Sequence, residues 1–202
     1  MTKVRMQGLP HRRAICLVSA NLDGRGETLV FRQMRRAGQQ LPGEETEAIL
    51  ARSTSGVLAC AGDDGYPYAV PVSYVYANGM IYFHCAKAGH KLDALLAEPK
   101  CSFCVIDTDV VLPERFTTDF RSAIAFGRAH LLKDAEKLAA LRLLAEKYSA
   151  DYPEEIDKKI ASGISRTEVI AIEVEYLTGK EGIESVRTRV KCGDLAETHD
   201  VS

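Results

Sequence analysis

Apolar and polar positions alternate through much of this chain, and the alternating runs are separated by short turn signals. Gly56 to Gly62 (GVLACAG) reads as a short apolar strand, Asp63–Asp64–Gly65 as a hairpin turn, and Tyr66 to Tyr76 as one long strand. Ala77–Asn78–Gly79 turns the chain again, because Asn-Gly between two β-rich runs is a strong hairpin signal, and Met80 to His84 returns. Lys100 to Asp107 and Phe116 to Leu132 are further strands, the second with a break expected near Arg121. Thr167 to Leu177 alternates strictly, with Val169 and Ala171 on one side and Ile170, Ile172 and Val174 on the other.

Helical spacing occupies the gaps. Pro42 to Arg52 opens with Glu44 and Glu45, acids that favour a helix N-terminus, and should turn Ala48, Ile49 and Leu50 inward. Gly89 to Ala97 is a short helix. Asp134 to Ser149 is a longer one, with Asp134 as N-cap and Leu138, Leu141, Leu144 and Ala145 on one face. A weaker helix covers Pro153 to Ala161. Meandering strands with short turns imply an antiparallel sheet, and at this length a barrel is its natural closure. The helices are too few and too late for alternating βαβ units, and no Gly-x-Gly-x-x-Gly follows a strand. The fold class is therefore mainly β with flanking helices.

The 202 residues suit one domain with appendages. A net charge of −2 gives no global attraction to nucleic acid or anionic membrane, and no stretch is apolar enough to span a bilayer. The six cysteines sit mostly in strand-like runs and read as buried free thiols, with the cytoplasm as the default home. Before Pro42, eight Lys/Arg face only Asp23 and Glu27, so the remainder is acidic. That Arg-rich start also has the composition of a transit peptide; the expectation is a disordered extension over residues 1–33, with Met34 as the functional start. The domain then runs over 34–184, and 185–202 is a polar tail.

Two segments carry chemistry. In Gly65 to Tyr76 (GYPYAVPVSYVY) one strand face is large (Tyr66, Tyr68, Val70, Val72, Tyr74, Tyr76) and the other small (Pro67, Ala69, Pro71, Ser73). Prolines four apart remove two donors from the same lateral edge, which then cannot be paired continuously. Either this is an edge strand blunted against aggregation, or its open backbone meets a flat ligand. In Ile81 to Leu96 (IYFHCAKAGHKLDALL), a strand ends at His84 and a loop leads to Gly89–His90–Lys91 at a helix start. Unpaired N–H groups and the positive end of the helix dipole already favour an anion there. A cation at that end opposes the dipole, so Lys91, with His84, Lys87 and His90, points to a phosphate between them.

With these segments the chain resembles the pyridoxamine 5′-phosphate oxidase-like split-barrel flavoproteins, and among them the nitroimidazole-resistance type. The likeness covers Met34 to Ile183, through GYPYAVPVSYVY, IYFHCAKAGHKLDAL, FRSAIAFGRAHLL, DAEKLAALRLLAEKY and YLTGKEG in the family's order. It implies an antiparallel split β-barrel and an FMN-dependent oxidoreductase, with haem or a deazaflavin as alternative cofactors. It also implies a homodimer with flavin sites at the interface, and a small-molecule substrate of nitroaromatic type with NAD(P)H as a donor. By resemblance, Val70, Pro71, Val72 and Ser73 lie along the flavin, and Phe83 and His84 flank it. Lys87, His90 and Lys91 hold the phosphate, Arg121 and Ser122 come from the second subunit, and His84 is the catalytic candidate. A non-catalytic flavin- or haem-binding protein is the competing reading. The family's C-terminal segment that grips a pyridoxal-type substrate is not evident, which argues against pyridoxamine phosphate itself; Arg187 and Arg189 read as a solvated pair.

Cys101-x-x-Cys104 lies in a strand-like run, where residues three apart face opposite ways, so a redox pair is not expected. A zinc site would need a second ligand pair, and none appears.

Overall fold

The computed structural model describes residues 31–189 and, before them, only the paired backbone of Asn21–Leu22 (β1) and Thr28–Leu29 (β2). Most of the expected extension, residues 190–202 of the tail, and Cys16 and Cys192 lie outside the described residues. Residues 183–189 form a helix in which Arg187 and Arg189 pair with Glu184 and Glu181. Among the described residues no helix is long and apolar enough to cross a membrane.

The main sheet has seven antiparallel strands: β3 (Ser55–Ala61), β4 (Pro67–Ser73), β5 (Val75–Ala77), β6 (Met80–Ala86), β7 (Lys100–Leu112), β8 (Thr117–Leu131) and β9 (Thr167–Glu181). Their spatial order is β4-β3-β7-β8-β9-β6-β5. The two edge strands, β4 and β5, are consecutive in sequence, so the chain itself joins the edges at Tyr74 and the sheet curls into a barrel split between β4 and β6. Both expected turns form: Asp64 and Gly65 have φ of 54° and 80°, and Asn78 and Gly79 have 53° and 77°. At Asn78–Gly79, positive φ at both central residues matches the right-handed strand twist in a two-residue hairpin, while Asp63–Gly65 forms one helical turn within a longer loop.

The expected single strand Tyr66 to Tyr76 is thus two strands, because Tyr74 has other partners. Its backbone N–H donates to Tyr148 Oη at 2.8 Å, and that hydroxyl also lies against the carbonyl oxygens of Tyr74 and Thr54. Tyr74 is fully buried; its own hydroxyl donates to Leu50 O at 2.7 Å, and its ring meets Phe103 edge-on at 4.8 Å. Burial, then the nearby Tyr148, push the Tyr74 phenol well above its ordinary range. Lys147 Nζ sits 4.6 Å over the ring and donates to Ser53 O at 2.6 Å, with desolvation lowering its pKa.

Four helices, α1 (Gly43–Arg52), α2 (His90–Ala97), α3 (Asp134–Tyr148) and α4 (Pro153–Gly163), flank the barrel. α1 buries Thr46, Ile49 and Leu50 and leaves Ala48 exposed, contrary to expectation. Thr46 can be buried because its hydroxyl donates to Pro42 O at 2.9 Å, one turn back. α3 buries Ala140 and Leu144 but exposes Leu138, and Lys133 holds the N-cap position expected of Asp134, which lies inside the first turn with φ 46°. β7 runs beyond Asp107 to Leu112, since β8 continues beside it. The break expected near Arg121 is absent, since β8 runs unbroken through it; the irregularity lies opposite, on β7, where the register shifts between Ile106 and Thr108. The residue left over, Asp107, takes a two-point contact from Arg52 of α1 at 2.6 and 2.7 Å, which holds its carboxyl below the usual range.

β9 explains its nearly unbroken apolar run. Ile170, Ile172 and Val174 face the barrel core, while Val169 and Ala171 pack with Tyr82, Ala140 and Leu144 beneath α3. Replacing Tyr74 with Phe removes the donor to a buried helix-end carbonyl and should cost about 1–3 kcal/mol in a denaturant titration.

Candidate functional site

β4 is an edge strand, and its two faces differ as the sequence implies. Tyr68, Val70 and Val72 turn toward the core, while Pro67, Ala69, Pro71 and Ser73 lie on the exposed face. Pro71 and Pro67 register opposite Val57 and Ala61 of β3, and the other lateral edge of β4 faces the split. Across the split stands β6. At one end Ser73 and His84 line the same cleft. At the other, Tyr68 stacks on His90 with ring centroids 4.0 Å apart. The two ends are separated by the rise of β4 from Tyr68 to Ser73, about 17 Å.

The His90 end is built on a helix start. Gly89 takes φ 131°, open to glycine and strained for other residues, and its carbonyl accepts from the N–H groups of Leu92 and Asp93 at 2.9 and 3.2 Å. The N–H groups of His90 and Lys91 precede the first intrahelical bonds and project from the positive end of α2. Lys87 and His90 are exposed and Lys91 is half-buried; among the described residues neither lysine has a carboxylate partner. Asp63 Oδ2 lies 3.6 Å from His90 Nε2 on an exposed turn, a weak competitor for an anion. Lys91 also acts on Cys85, lowering a thiol that burial raises.

The His84 end opens into a cleft of about 350 Å³ between β6, α3 and α4, with walls from Leu141, Leu144, Ile160 and Ile164. Sequence reasoning missed these helix residues as site residues: their spacing reads as ordinary packing, and only the divergence of α3 and α4 over His84 leaves the space. Phe83, by contrast, is fully buried in the barrel core, and Val72 packs there too.

Arg121 and Ser122 are not brought to this split within one chain. They lie on β8, opposite Glu181 and Lys180 of β9, with β7 and β3 between them and β4. Arg121 pairs with Glu45 of α1, and its Nε is buried without a partner. The two ends of the Cys101-x-x-Cys104 run separate as expected. Cys101 faces inward opposite Cys60, its thiol pushed up to about 12 by burial and then by Cys60, while Cys104 faces outward. No group of three or more His, Cys, Asp or Glu positioned to hold a metal occurs among the described residues.

A family model described as pyridoxamine 5′-phosphate oxidase matches residues 42–181. No curated protein matches the chain. Among solved structures, a candidate 5-nitroimidazole antibiotic resistance protein from Bacteroides thetaiotaomicron is 20% identical, over 70% of this chain and 86% of its own, with a TM-score of 0.58. A conserved hypothetical protein from Mycobacterium tuberculosis is 21% identical, over 74% and 90%, at 0.64. A flavocytochrome from Azotobacter vinelandii is 23% identical, over 74% and 72%, at 0.63. At these identities the likeness concerns the fold.

Proposed function

The chain belongs to the pyridoxamine 5′-phosphate oxidase family, and from that premise we propose that it is an FMN-dependent oxidoreductase working as a homodimer on small molecules of nitroaromatic type. The observation that carries this reading is the two-ended split. A basic helix start lies at one end of a small-faced edge strand and a histidine-bearing cleft at the other, so one strand links an anion-binding corner to an apolar one.

The residues fit the group. His90 and Lys91, with Lys87 from the loop, supply cationic donors beside the first N–H groups of α2. Val70 to Ser73 offer backbone along an unpaired edge, and the small side chains of Pro71 and Ser73 let a flat ring approach. His84 is exposed in the cleft and is the group placed to hold or hand over a proton there. Phe83 contributes backbone on β6 while its ring stays in the core. When bound, the flavin supplies the electron transfer, and the protein supplies position, electrostatics and exclusion of water. NAD(P)H is the donor class this reading carries. The similarity to a candidate nitroimidazole-resistance protein supports a nitroaromatic acceptor.

The second chain enters through the outer face of β3, β4, β7 and β8. Val57, Pro71, Cys104, Ile106, Ile124 and Phe126 lie there, with Ile106 left 66% exposed. A contiguous apolar face of this kind marks an interaction surface. Ser122 registers beside Ile106 on this face, and in this reading it is the candidate to reach a partner's split, while Arg121 is held by Glu45 of α1. The flavocytochrome likeness favours one competing reading, a haem-binding split barrel with His84 as the exposed ligand; a deazaflavin relative would use the same basic corner.

Changing His90 and Lys91 together to Ala removes two charge-assisted contacts worth about 1.5–3 kcal/mol each. FMN affinity, read by flavin fluorescence titration, should fall by at least about a hundredfold; an unchanged affinity would place the phosphate elsewhere. Ile106→Arg puts a charge into the apolar outer face. Sedimentation should then show a monomer that retains flavin poorly, whereas a variant that stays dimeric would move the interface off this face.

A further inference from the structure

The cleft over His84 holds about 350 Å³, and its chemistry is one-sided. Its walls are apolar, from Leu141, Leu144, Ala145, Ile160 and Ile164. Two of its polar groups are already engaged: Tyr148 Oη holds the Tyr74 backbone, and Thr167 Oγ1 donates to Gly163 O at 3.0 Å. That leaves Ser73, His84 and Lys159 facing a mouth that no carboxylate lines. Lys159 is in no ion pair among the described residues and stands between this cleft and a second hollow of about 230 Å³, where Glu155 is the acid within reach. Gly163, which lines the cleft at the end of α4, has no atom within 4 Å of where a Cβ would stand.

From this arrangement we infer that the cleft is a second binding pocket, for a flat, largely apolar monoanion of the aromatic carboxylate class. The ring lies between α3 and α4, and the carboxylate meets Lys159. The volume lies at the small end of ligand pockets and admits a two-ring aromatic. The apolar walls hold the ring, and Lys159, exposed at the mouth, adds the preference for a negative charge. The pocket adjoins the end of the split proposed for the flavin ring, but as a binding pocket it stands apart from that reading.

The test uses 2-naphthoate, with neutral 2-naphthamide of the same shape, titrated by calorimetry into the full chain with and without FMN. Naphthoate should bind one site per chain, about tenfold tighter than the amide. Lys159→Gln should bring the two ligands within about twofold of each other. Gly163→Phe adds a ring at a position where a Cβ meets no neighbouring atom; naphthoate binding should fall at least about tenfold while FMN affinity holds. Naphthoate bound equally by Gly163→Phe and the parent overturns the pocket, as does a charge preference that survives Lys159→Gln. Loss of FMN from Gly163→Phe overturns it in another way, by showing that the flavin ring fills the cleft. A parent that takes up no FMN but binds naphthoate with these dependences sinks the flavin reading and leaves the pocket standing.

Discussion

Tyr74 gives its backbone N–H to a phenol on α3 instead of to a neighbouring strand, and the architecture follows from that exchange. A strand that continued from Pro67 to Ala77 would stay on one edge of the sheet. Interrupted at Tyr74, the chain leaves β4 on one edge and places β5 on the other, so the sheet must curl to keep them joined. The interruption is tolerable because every polar group it exposes is reused: Tyr148 serves the N–H and nearby carbonyls, and the Tyr74 hydroxyl serves the last turn of α1. The same contacts pin the C-terminal end of α3 beside the split, which sets the position of the cleft over His84.

What the split offers a ligand is physically consistent along its length. Prolines on β4 and the absence of a second neighbour leave backbone available where the exposed side chains are small. At the His90 end, cations stand at the wrong end of a helix for stability and the right end for an anion. At the His84 end, charge thins out and apolar walls take over. A molecule with a phosphate at one end and an aromatic ring system at the other matches that gradient.

Much of this was legible in the sequence. Strand alternation, the Asp-Asp-Gly and Asn-Gly turns and the basic start of α2 are local signals, and they appear where the chain places them. The break at Tyr74 was not legible: Tyr74, Val75 and Tyr76 continue the β-rich run with no turn residue between them, and the disrupting partner is Tyr148, far along the chain. Asp107 as a bulge and Thr46 as a buried residue depend likewise on partners that periodicity does not see, Arg52 and the Pro42 carbonyl. Arg121 and Ser122, expected from a second subunit, lie across the sheet from the split of their own chain.

The most direct measurement is the absorption spectrum of the purified protein before and after acid release of any chromophore, followed by added FMN if the protein is colourless. Flavin bands, with FMN in the released fraction, are the expected result. A colourless protein that also takes up no FMN, or a Soret band without flavin, would contradict a flavin in the split between β4 and β6.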